Sequence, residues 1–270
     1  MLKSATGIPL LGFGTYPLAG AEAERCVGMA LEVGFRHIDT AQMYGNERAV
    51  GKALQASGLG RGELYVVTKV DPGNLGAARF TALVERSTDD LGGPVDLLLI
   101  HWPPAEDDFE ATIDRLVAAQ RDGLARAIGL SNFAIALMRR AAGHSPLPLI
   151  ANQVEFHPLI DQSKVLAEAR RLNMTVSAYS PLARGATLRE PVIQKIAARL
   201  GEPVSAVVLR WIVQQGVAAI PMTRKRDHAA SNFRALGFSL PDDDMAAIGA
   251  VTKQNRRFIS PSWMAGRWDS

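Results

Sequence analysis

Four side chains of different chemistry each come after a short apolar stretch of this 270-residue chain. They are a carboxylate, a phenol, an ammonium and an imidazole: Asp39, Tyr44, Lys69 and His101. A phenol with a pKa near 10 is a weak acid at neutral pH, and we expect the nearby ammonium to lower that pKa. The carboxylate would keep the ammonium charged and fixed in place. The phenol could then protonate a developing alkoxide while the imidazole donates a hydrogen bond to the same oxygen. The set predicts the acid half of a carbonyl reduction.

Taken singly, each of these residues has an ordinary explanation. An Asp after a strand is most often a turn or cap residue, and a lone Lys usually extends its charge to solvent. A lone His is more often structural than catalytic. The chemistry therefore depends on a fold that brings all four together. Because no side chain can donate a hydride, the reaction also requires a cofactor.

A second set of polar residues suits a nicotinamide cofactor. Ser131, Asn132 and Gln153 carry hydroxyl and amide groups that can hold a carboxamide, and Tyr179 offers a flat ring face. Asn132 taken alone could equally be a helix N-cap. These residues also lie within or directly after apolar stretches, so the same fold must place them beside the first four.

The chain alternates short apolar stretches with longer segments of helical periodicity. The apolar stretches are 9–14, 35–39, 64–69, 95–101, 125–130, 149–156, 175–180 and 217–221. The helical segments include 21–34, 109–123, 163–173, 190–201 and 202–216. Strands buried on both faces read as continuous apolar runs, and helical crossovers make neighbouring strands parallel. Eight such units predict an α/β fold, a single (β/α)₈ TIM barrel, with residues 1–270 as one domain.

The rival fold is an open, doubly wound sheet. Such a sheet normally carries a glycine-rich phosphate turn after its first strand. The nearest candidate, Gly12-Phe13-Gly14, lacks the third glycine and does not open directly into a helix. In a barrel, the active site lies at the carboxyl ends of the strands, so the polar residues above are predicted to converge on one rim.

The sequence closely resembles the aldo-keto reductase superfamily along nearly its whole length. The motifs that carry the resemblance are GFRHIDTAQMYGNERAVG (34–51), TK (68–69), IHWP (100–103), ARAIGLSNF (125–133), NQVEFHP (152–158) and AYSPLARG (178–185). The resemblance implies that Asp39, Tyr44, Lys69 and His101 form the catalytic tetrad. It also implies that the nicotinamide contacts are Ser131, Asn132, Gln153 and Tyr179.

The resemblance further implies NADPH/NADP+ as the cofactor, bound without a glycine fingerprint. The segment SPLARG (180–185) is similar to the family's pyrophosphate loop, which gives Ser180, Leu182 and Arg184 as candidates. The phosphate end departs from the family pattern, because Met222, His228 and Ser231 stand where many members have Lys, Arg and Glu. Its remaining cofactor candidates are Thr223, Arg224, His228 and Asn232.

Arg224 is the residue on which we base an expected preference for NADPH over NADH. It lies where the last strand meets a helix, and a helix N-terminus favours an anion. A guanidinium there can bind a 2′-phosphate through two parallel hydrogen bonds. The alternative is that residues 224–226 form a solvated surface cluster.

The tail NRRFISPSWMAGRWDS (255–270) and the compact loops most resemble the bacterial 2,5-diketo-gluconate and methylglyoxal reductase branch. The resemblance implies reduction of small aldehydes and ketones, such as dicarbonyls and keto-sugar acids, with Tyr44 as proton donor. Tyr16 and Trp102 are candidates for the pocket wall. Trp263 and Trp268 either line the same wall or pack elsewhere on the surface.

Composition narrows the partners. The net charge is only +3, and no dense Lys/Arg run with interleaved aromatics suggests nucleic acid. No stretch approaches the roughly 18 apolar residues of a membrane span, so we expect no membrane partner. The single cysteine, Cys26, excludes an intrachain disulfide and has apolar neighbours at helical spacing. We therefore expect a cytoplasmic protein with a small-molecule carbonyl substrate, as a monomer or weak oligomer.

Two other functions remain open. One is a cofactor-binding regulatory subunit on the same fold with little turnover, although the intact tetrad and the lack of an extended polar tail argue against it. The other is a metal-dependent barrel hydrolase, which would need several His and carboxylate ligands. The chain has five histidines but no H-x-H or H-E-x-x-H spacing. His144, placed in a Gly/Ser/Pro loop, and His157 are interpreted as structural, so we expect no metal.

Overall fold

A computed structural model describes residues 2–264 and 266–269, and its sheet has eight parallel strands in sequence order. They are β1 (Phe13–Gly14), β2 (His37–Asp39), β3 (Tyr65–Val70), β4 (Leu97–Ile100), β5 (Ile128–Ser131), β6 (Leu149–Glu155), β7 (Thr175–Tyr179) and β8 (Ala218–Ala219). Each strand overlaps one of the eight predicted apolar stretches. A parallel bridge from Leu11 to Ala219 joins the two ends of the sheet. The predicted (β/α)₈ barrel is confirmed.

Helices follow the strands on the outside of the barrel. They are α1 (Gly20–Val33), α2 (Glu47–Ala56), α3 (Phe80–Leu91), α4 (Phe109–Arg121), α5 (Ile135–His144), α6 (Ser163–Arg171), α7 (Pro191–Leu200), α8 (Val204–Gln214), α9 (Arg226–Phe233) and α10 (Asp242–Ala250). Two of them, α7 and α8, lie between β7 and β8, and α9 follows β8. Among the described residues, none of the helices combines the length and the apolar character that crossing a membrane requires.

The strands are buried on both faces, as their continuous apolar sequences require. All four residues of β4 are at most 2% exposed, and burying one such side chain contributes about 1.5–3 kcal/mol. Gly129 in β5 allows the next strand to approach closely, because a Cβ there would lie 2.8 Å from the Ala151 carbonyl oxygen. The tight β5–β6 contact places the polar ends of both strands side by side.

An aromatic cluster fixes α9 against the barrel. The Phe35 ring lies 5.8 Å from the Phe13 ring and 5.2 Å from the Phe233 ring, both edge to face. Gly34 leaves room for this contact, because a Cβ there would lie 2.8 Å from the Phe233 ring. The cluster therefore holds the C-terminal end of α9 against the segment that leads into β2.

Candidate active site

A buried ion pair lies at the base of the site. Lys69 Nζ, on β3, is 2.5 Å from Asp39 Oδ1 at the end of β2, and it also donates to the Thr40 carbonyl oxygen at 2.7 Å. Gln153 Nε2 donates to the other carboxylate oxygen at 2.8 Å. Both charged side chains are at most 2% exposed, and buried charges require such pairing. Burial lowers the pKa of Lys69, and the Asp39 carboxylate opposes that shift.

Tyr44 ends a short 3₁₀ turn, Gln42–Tyr44, directly after β2. Lys69 Nζ lies 5.2 Å from the centroid of its ring, and the His101 ring lies 5.6 Å away, edge to face. Burial raises the pKa of Tyr44 well above its ordinary value, and the charge of the Asp39 carboxylate adds to the increase. The prediction that Lys69 lowers the pKa of Tyr44 is therefore wrong for the protein without a bound ligand. The reason is that a phenolate there would lose its solvation and face the Asp39 carboxylate.

Two amide side chains fix this turn, and the sequence reasoning did not identify them. Gln42 makes four hydrogen bonds of 3.0–3.2 Å to the β3–α3 loop and to α3. Asn46 makes three, of 2.6–3.3 Å, to Thr40 and to the loop after β1. Both amides lie inside the 34–51 motif, which was the one available signal. Together they hold Tyr44 from both sides.

His101 follows β4 directly and is 7% exposed. Burial, assisted by the positive charge of Lys69, lowers its pKa to about 3. The imidazole is thus neutral at physiological pH and carries one N–H donor. Its Nδ1 is buried and has no hydrogen-bond partner in the described part of the chain. Asn132 Nδ2 donates to the His101 carbonyl oxygen at 3.0 Å, which ties the end of β4 to that of β5.

The predicted nicotinamide residues form one connected network. Tyr179 OH donates to Asn132 Oδ1 at 2.8 Å, and Asn132 Nδ2 donates to Ser131 Oγ at 3.1 Å. Ser131 Oγ donates to the Gln153 carbonyl oxygen at 3.0 Å. Because Gln153 also bonds Asp39, the network joins the ion pair. The residue that caps α5 is Ala134, so Asn132, which has φ of 63°, is not the helix N-cap.

The residues of this rim fit a nicotinamide dinucleotide. The hydroxyl and amide groups of Ser131, Asn132 and Gln153 are of the kind that can hold a carboxamide, and they are connected to the ring hydroxyl of Tyr179 through Asn132. The loop after β7 contains Ser180, Ala183 and Arg184 with φ of 47°, 47° and 52°. Left-handed residues in such turns form backbone concavities that bind anions. The pyrophosphate candidates lie on this loop, with Ser180 and Leu182 half-buried and Arg184 exposed.

The residues of the predicted phosphate end lie just before α9 and along it. Thr223 is buried and accepts a hydrogen bond from the Lys225 backbone N–H at 3.1 Å. Arg224 is half-exposed, and its Nε is 2.8 Å from Glu22 Oε1 on α1. His228 is exposed and Asn232 is buried. Because exposed ion pairs contribute little, a bound anion could replace Glu22, and both interpretations of Arg224 remain compatible with its position.

Aromatic side chains surround the mouth of the site. Tyr16 is 62% exposed, and its ring lies 5.1 Å from that of Tyr44. Trp102 follows His101 and is only 7% exposed. Trp263 and Trp268 pack edge to face on it, with ring centroids 4.8 and 6.2 Å away. The two C-terminal tryptophans thus lie beside the site rather than elsewhere on the surface.

The remaining candidates lie away from this rim. Among residues 2–264 and 266–269, no three His, Cys, Asp or Glu side chains are grouped so that they could hold a metal ion. The loop assignment of His144 is wrong, because it is the last residue of α5, where it bonds Asp114 at 2.8 Å. His157 is buried against Glu155 at 2.9 Å. Cys26 is buried in α1, as its neighbours predicted.

The carboxyl rim of this parallel barrel combines a buried ammonium–carboxylate pair with a protonated phenol and a neutral imidazole. This arrangement is typical of the (β/α)₈-barrel oxidoreductases. Residues 10–253 match the model of the Aldo/keto reductase family. The chain belongs to this family and is an enzyme that reduces carbonyl compounds. Members of the family use NAD(P)H.

The similarity to known proteins extends over nearly the whole chain. The methylglyoxal reductase DkgB of Escherichia coli O157:H7 is 39% identical over 266 residues, which cover 97% of this chain and 99% of the relative. An aldo-keto reductase of Mycobacterium avium (strain 104) is 37% identical over 267 residues, covering 98% and 94%. A crystal structure described as a 2,5-diketo-D-gluconic acid reductase B superposes with a TM-score of 0.96 at 39% identity, covering 100% and 98%.

Proposed function

We propose that this chain reduces small aldehydes and ketones to alcohols with NADPH, and that Tyr44 is the proton donor. The observation that carries the proposal is the buried Asp39–Lys69 pair, which lies next to the phenol while the neutral His101 faces the same phenol. Two of the similar proteins bear the names of enzymes that act on methylglyoxal and on 2,5-diketo-D-gluconic acid. A dicarbonyl and a keto-sugar acid are therefore the first substrates to test.

The side chains of the protein donate one proton to the substrate and stabilise the charges that develop. When bound, a nicotinamide would supply the hydride for the carbonyl carbon. Tyr44 donates its proton to the carbonyl oxygen. His101, which stays neutral, donates an N–H hydrogen bond to the same oxygen and stabilises the developing charge. The phenolate that remains lies beside Lys69, whose charge stabilises it. Asp39 keeps that ammonium charged in a buried position.

Three groups of residues along the rim would hold the cofactor. Ser131, Asn132 and Gln153 would bind the carboxamide, beside the ring of Tyr179. The loop after β7 would hold the pyrophosphate through Ser180, Leu182 and Arg184. The candidates for the phosphate end, which would give NADPH its advantage, lie before and along α9: Thr223, Arg224, His228 and Asn232.

The carbonyl substrate enters between two aromatic walls. Tyr16 lies on the side of Tyr44, and Trp102 lies on the side of His101. The space between these walls suits a small substrate whose carbonyl oxygen must reach both the phenol and the imidazole.

A panel of small carbonyls tests the proposal. The purified chain is mixed with NADPH and with methylglyoxal, a simple aldehyde or a keto-sugar acid, and the loss of NADPH absorbance is followed. We expect turnover with at least one of them, unaffected by an excess of chelator. Tight NADPH binding without turnover on any of them would instead favour a regulatory subunit, and loss of activity with chelator would favour a metal enzyme.

A further inference from the structure

We infer that Glu155 is a positioning residue that fixes the path of the C-terminal tail and thereby the aromatic wall of the substrate site. The C-terminal tail is defined as residues 255–264 and 266–269. The inference rests on the proposed function only for its kinetic consequence, because the path of the tail can be measured without any substrate.

Glu155 is the last residue of β6 and is completely buried. It lies two residues after Gln153, and residues two apart on a strand point to the same face. Gln153 reaches Asp39 inside the barrel, so Glu155 belongs to the next layer towards the rim. A carboxylate in that place is costly to bury unless its oxygens are hydrogen-bonded.

The partners of Glu155 are all N–H donors. Phe258 N donates to Oε1 at 2.7 Å and Ile259 N donates to Oε2 at 2.9 Å, so two successive tail residues bind its two oxygens. His157 Nε2 lies 2.9 Å from Oε1. Because Leu159 N donates to His157 Nδ1 at 3.2 Å, the neutral ring carries its proton on Nε2 and donates as well. Only a group that accepts on both oxygens satisfies this set.

The tail continues from this anchor to the tryptophans. The Arg257 guanidinium stacks on the Trp268 ring at 4.0 Å, and its Nη1 lies 3.9 Å from Glu155 Oε2. Trp268 Nε1 donates to Ser260 Oγ at 3.3 Å. A cation stacked on an aromatic ring is attracted to it, and the attraction is stronger when the cation is desolvated. Glu155 thus holds both the backbone of the tail and the cation on which Trp268 rests.

A second bond fixes the far end of the tail. Asp269 Oδ2 accepts a hydrogen bond from Ile135 N at the start of α5, at 2.6 Å. Between the two anchors, Trp263 and Trp268 pack on Trp102. Since Trp102 is adjacent to His101 in the chain, a displaced tail would uncover the wall that borders the proposed proton-transfer site.

Glu155→Gln is the direct test, made in the full-length chain. The amide keeps the size of the side chain but turns one acceptor into a donor that faces an N–H group. Asp96→Asn is the matched control, because Asp96 is also buried, accepts a backbone N–H from Val66 at 2.8 Å and pairs with arginines. It precedes β4 at the opposite end of the barrel.

Two readouts follow the tail itself. Arg256, Arg257 and Arg267 are tail sites for trypsin, and three of the four tryptophans belong to the Trp102 cluster. We expect Glu155→Gln to speed cleavage at these arginines by about tenfold or more, since bonds to charged groups are the strong ones, and to shift tryptophan emission to longer wavelength. Asp96→Asn should change neither. Tail cleavage in Glu155→Gln at the wild-type rate would overturn the inference.

The kinetic readout separates positioning from a general loss of structure. In Glu155→Gln, KM for the carbonyl should rise by about tenfold, while the Kd of NADPH and kcat change less than threefold. A released tail with unchanged KM would overturn the claim that the tail sets the substrate wall. If the wild-type chain reduces no carbonyl, the proposed function fails, whereas cleavage and emission still decide the role of Glu155.

A second variant covers the case in which Glu155→Gln does not fold. Ile259→Pro removes the N–H that binds Oε2 and leaves the buried carboxylate and the barrel unchanged. We expect the same faster cleavage and higher KM as for Glu155→Gln. A folded Ile259→Pro chain with a tail as resistant to trypsin as the wild type would overturn the inference.

Discussion

At the scale of single residues, burial decides which groups at the centre of the site carry a proton. Lys69 is paired with Asp39 at 2.5 Å, Tyr44 has a pKa raised by burial, and His101 has a pKa lowered to about 3 by burial. The phenol and the imidazole therefore both present an N–H or O–H donor at neutral pH. Two donors near one carbonyl oxygen are what the proposed reduction requires.

Tyr44→Phe removes the proposed proton donor and keeps the ring. General acid catalysis typically contributes about 10²–10⁴-fold, so we expect kcat to fall by at least about a hundredfold. The Kd of NADPH should stay within about twofold, because no proposed cofactor contact involves the hydroxyl. Steady-state kinetics and fluorescence quenching by NADPH measure the two quantities. A variant that reduces methylglyoxal at a near wild-type rate would remove Tyr44 from the mechanism.

Acid should weaken the fold through His101. Its folded-state pKa of about 3 lies below the value near 6.5 of an unfolded chain. The unfolded state therefore binds more protons below pH 6.5, and the free energy of unfolding falls as pH decreases towards 3, by up to about 1.4 kcal/mol per pH unit. The stability that is lost is fully present above the unfolded-state pKa.

Denaturant unfolding of the wild type and of His101→Gln between pH 7 and 4 isolates this contribution, because other groups titrate in both proteins. The advantage of the wild type should shrink as pH falls. A difference in the free energy of unfolding that is constant with pH would show that His101 does not titrate in this way.

At the scale of elements, the strand order brings to one rim residues that are far apart in the sequence. Continuous apolar runs predicted every strand, because strands buried on both faces allow no alternation. The pairing of Asp39 with Lys69 could also be predicted from the sequence, since adjacent parallel strands end at the same rim. The hydrogen bond from Gln153 to Asp39 and the bonds from the tail backbone to Glu155 could not be predicted, because they join residues more than 100 positions apart.

The protonation states of the site residues also could not be predicted from the sequence. The spacing indicated that Lys69 would lie near Tyr44, but the pKa of the phenol depends on its desolvation and on the charge of Asp39. The role of Gln42 and Asn46 was hidden for a related reason, since an amide shows its partners only when the turn is folded. That residues 1–270 act as one domain stays a prediction.

The position of Arg224 at the start of α9 leads to a prediction about cofactor choice. A guanidinium at its start can bind a 2′-phosphate, and bonds to charged groups are worth about 1.5–3 kcal/mol, with about 1.4 kcal/mol per tenfold in affinity. Arg224→Ala should therefore weaken NADPH by roughly ten- to a hundredfold and leave NADH nearly unchanged. Titration of both cofactors by fluorescence quenching measures this.

Arg226→Ala is the matched control, because Arg226 is also exposed and pairs with a glutamate, Glu32, on α1. It should alter NADPH affinity less than Arg224→Ala does. Equal losses for NADPH and NADH in Arg224→Ala, or no loss for either, would assign residues 224–226 to a solvated surface cluster.

At the scale of the whole molecule, we expect the tail and the compact loops to limit the size of the substrate. Trp263 and Trp268 pack on Trp102 and narrow the mouth from one side, while Tyr16 borders it on the other. We expect kcat/KM for methylglyoxal or a small aldehyde to exceed that for a steroid ketone. A clear preference for the steroid ketone in the same assay would reverse this interpretation of the mouth.

Label transfer from the cofactor tests whether this chain is an NADPH-dependent carbonyl reductase. The wild-type chain is given methylglyoxal and NADPH that carries deuterium at the transferable position of its nicotinamide ring, and the product is analysed by mass spectrometry and NMR. We expect one deuterium on the carbon that carries the new hydroxyl group. An alcohol without deuterium, or NADPH oxidation without an alcohol, would contradict the assignment of this chain as an NADPH-dependent carbonyl reductase.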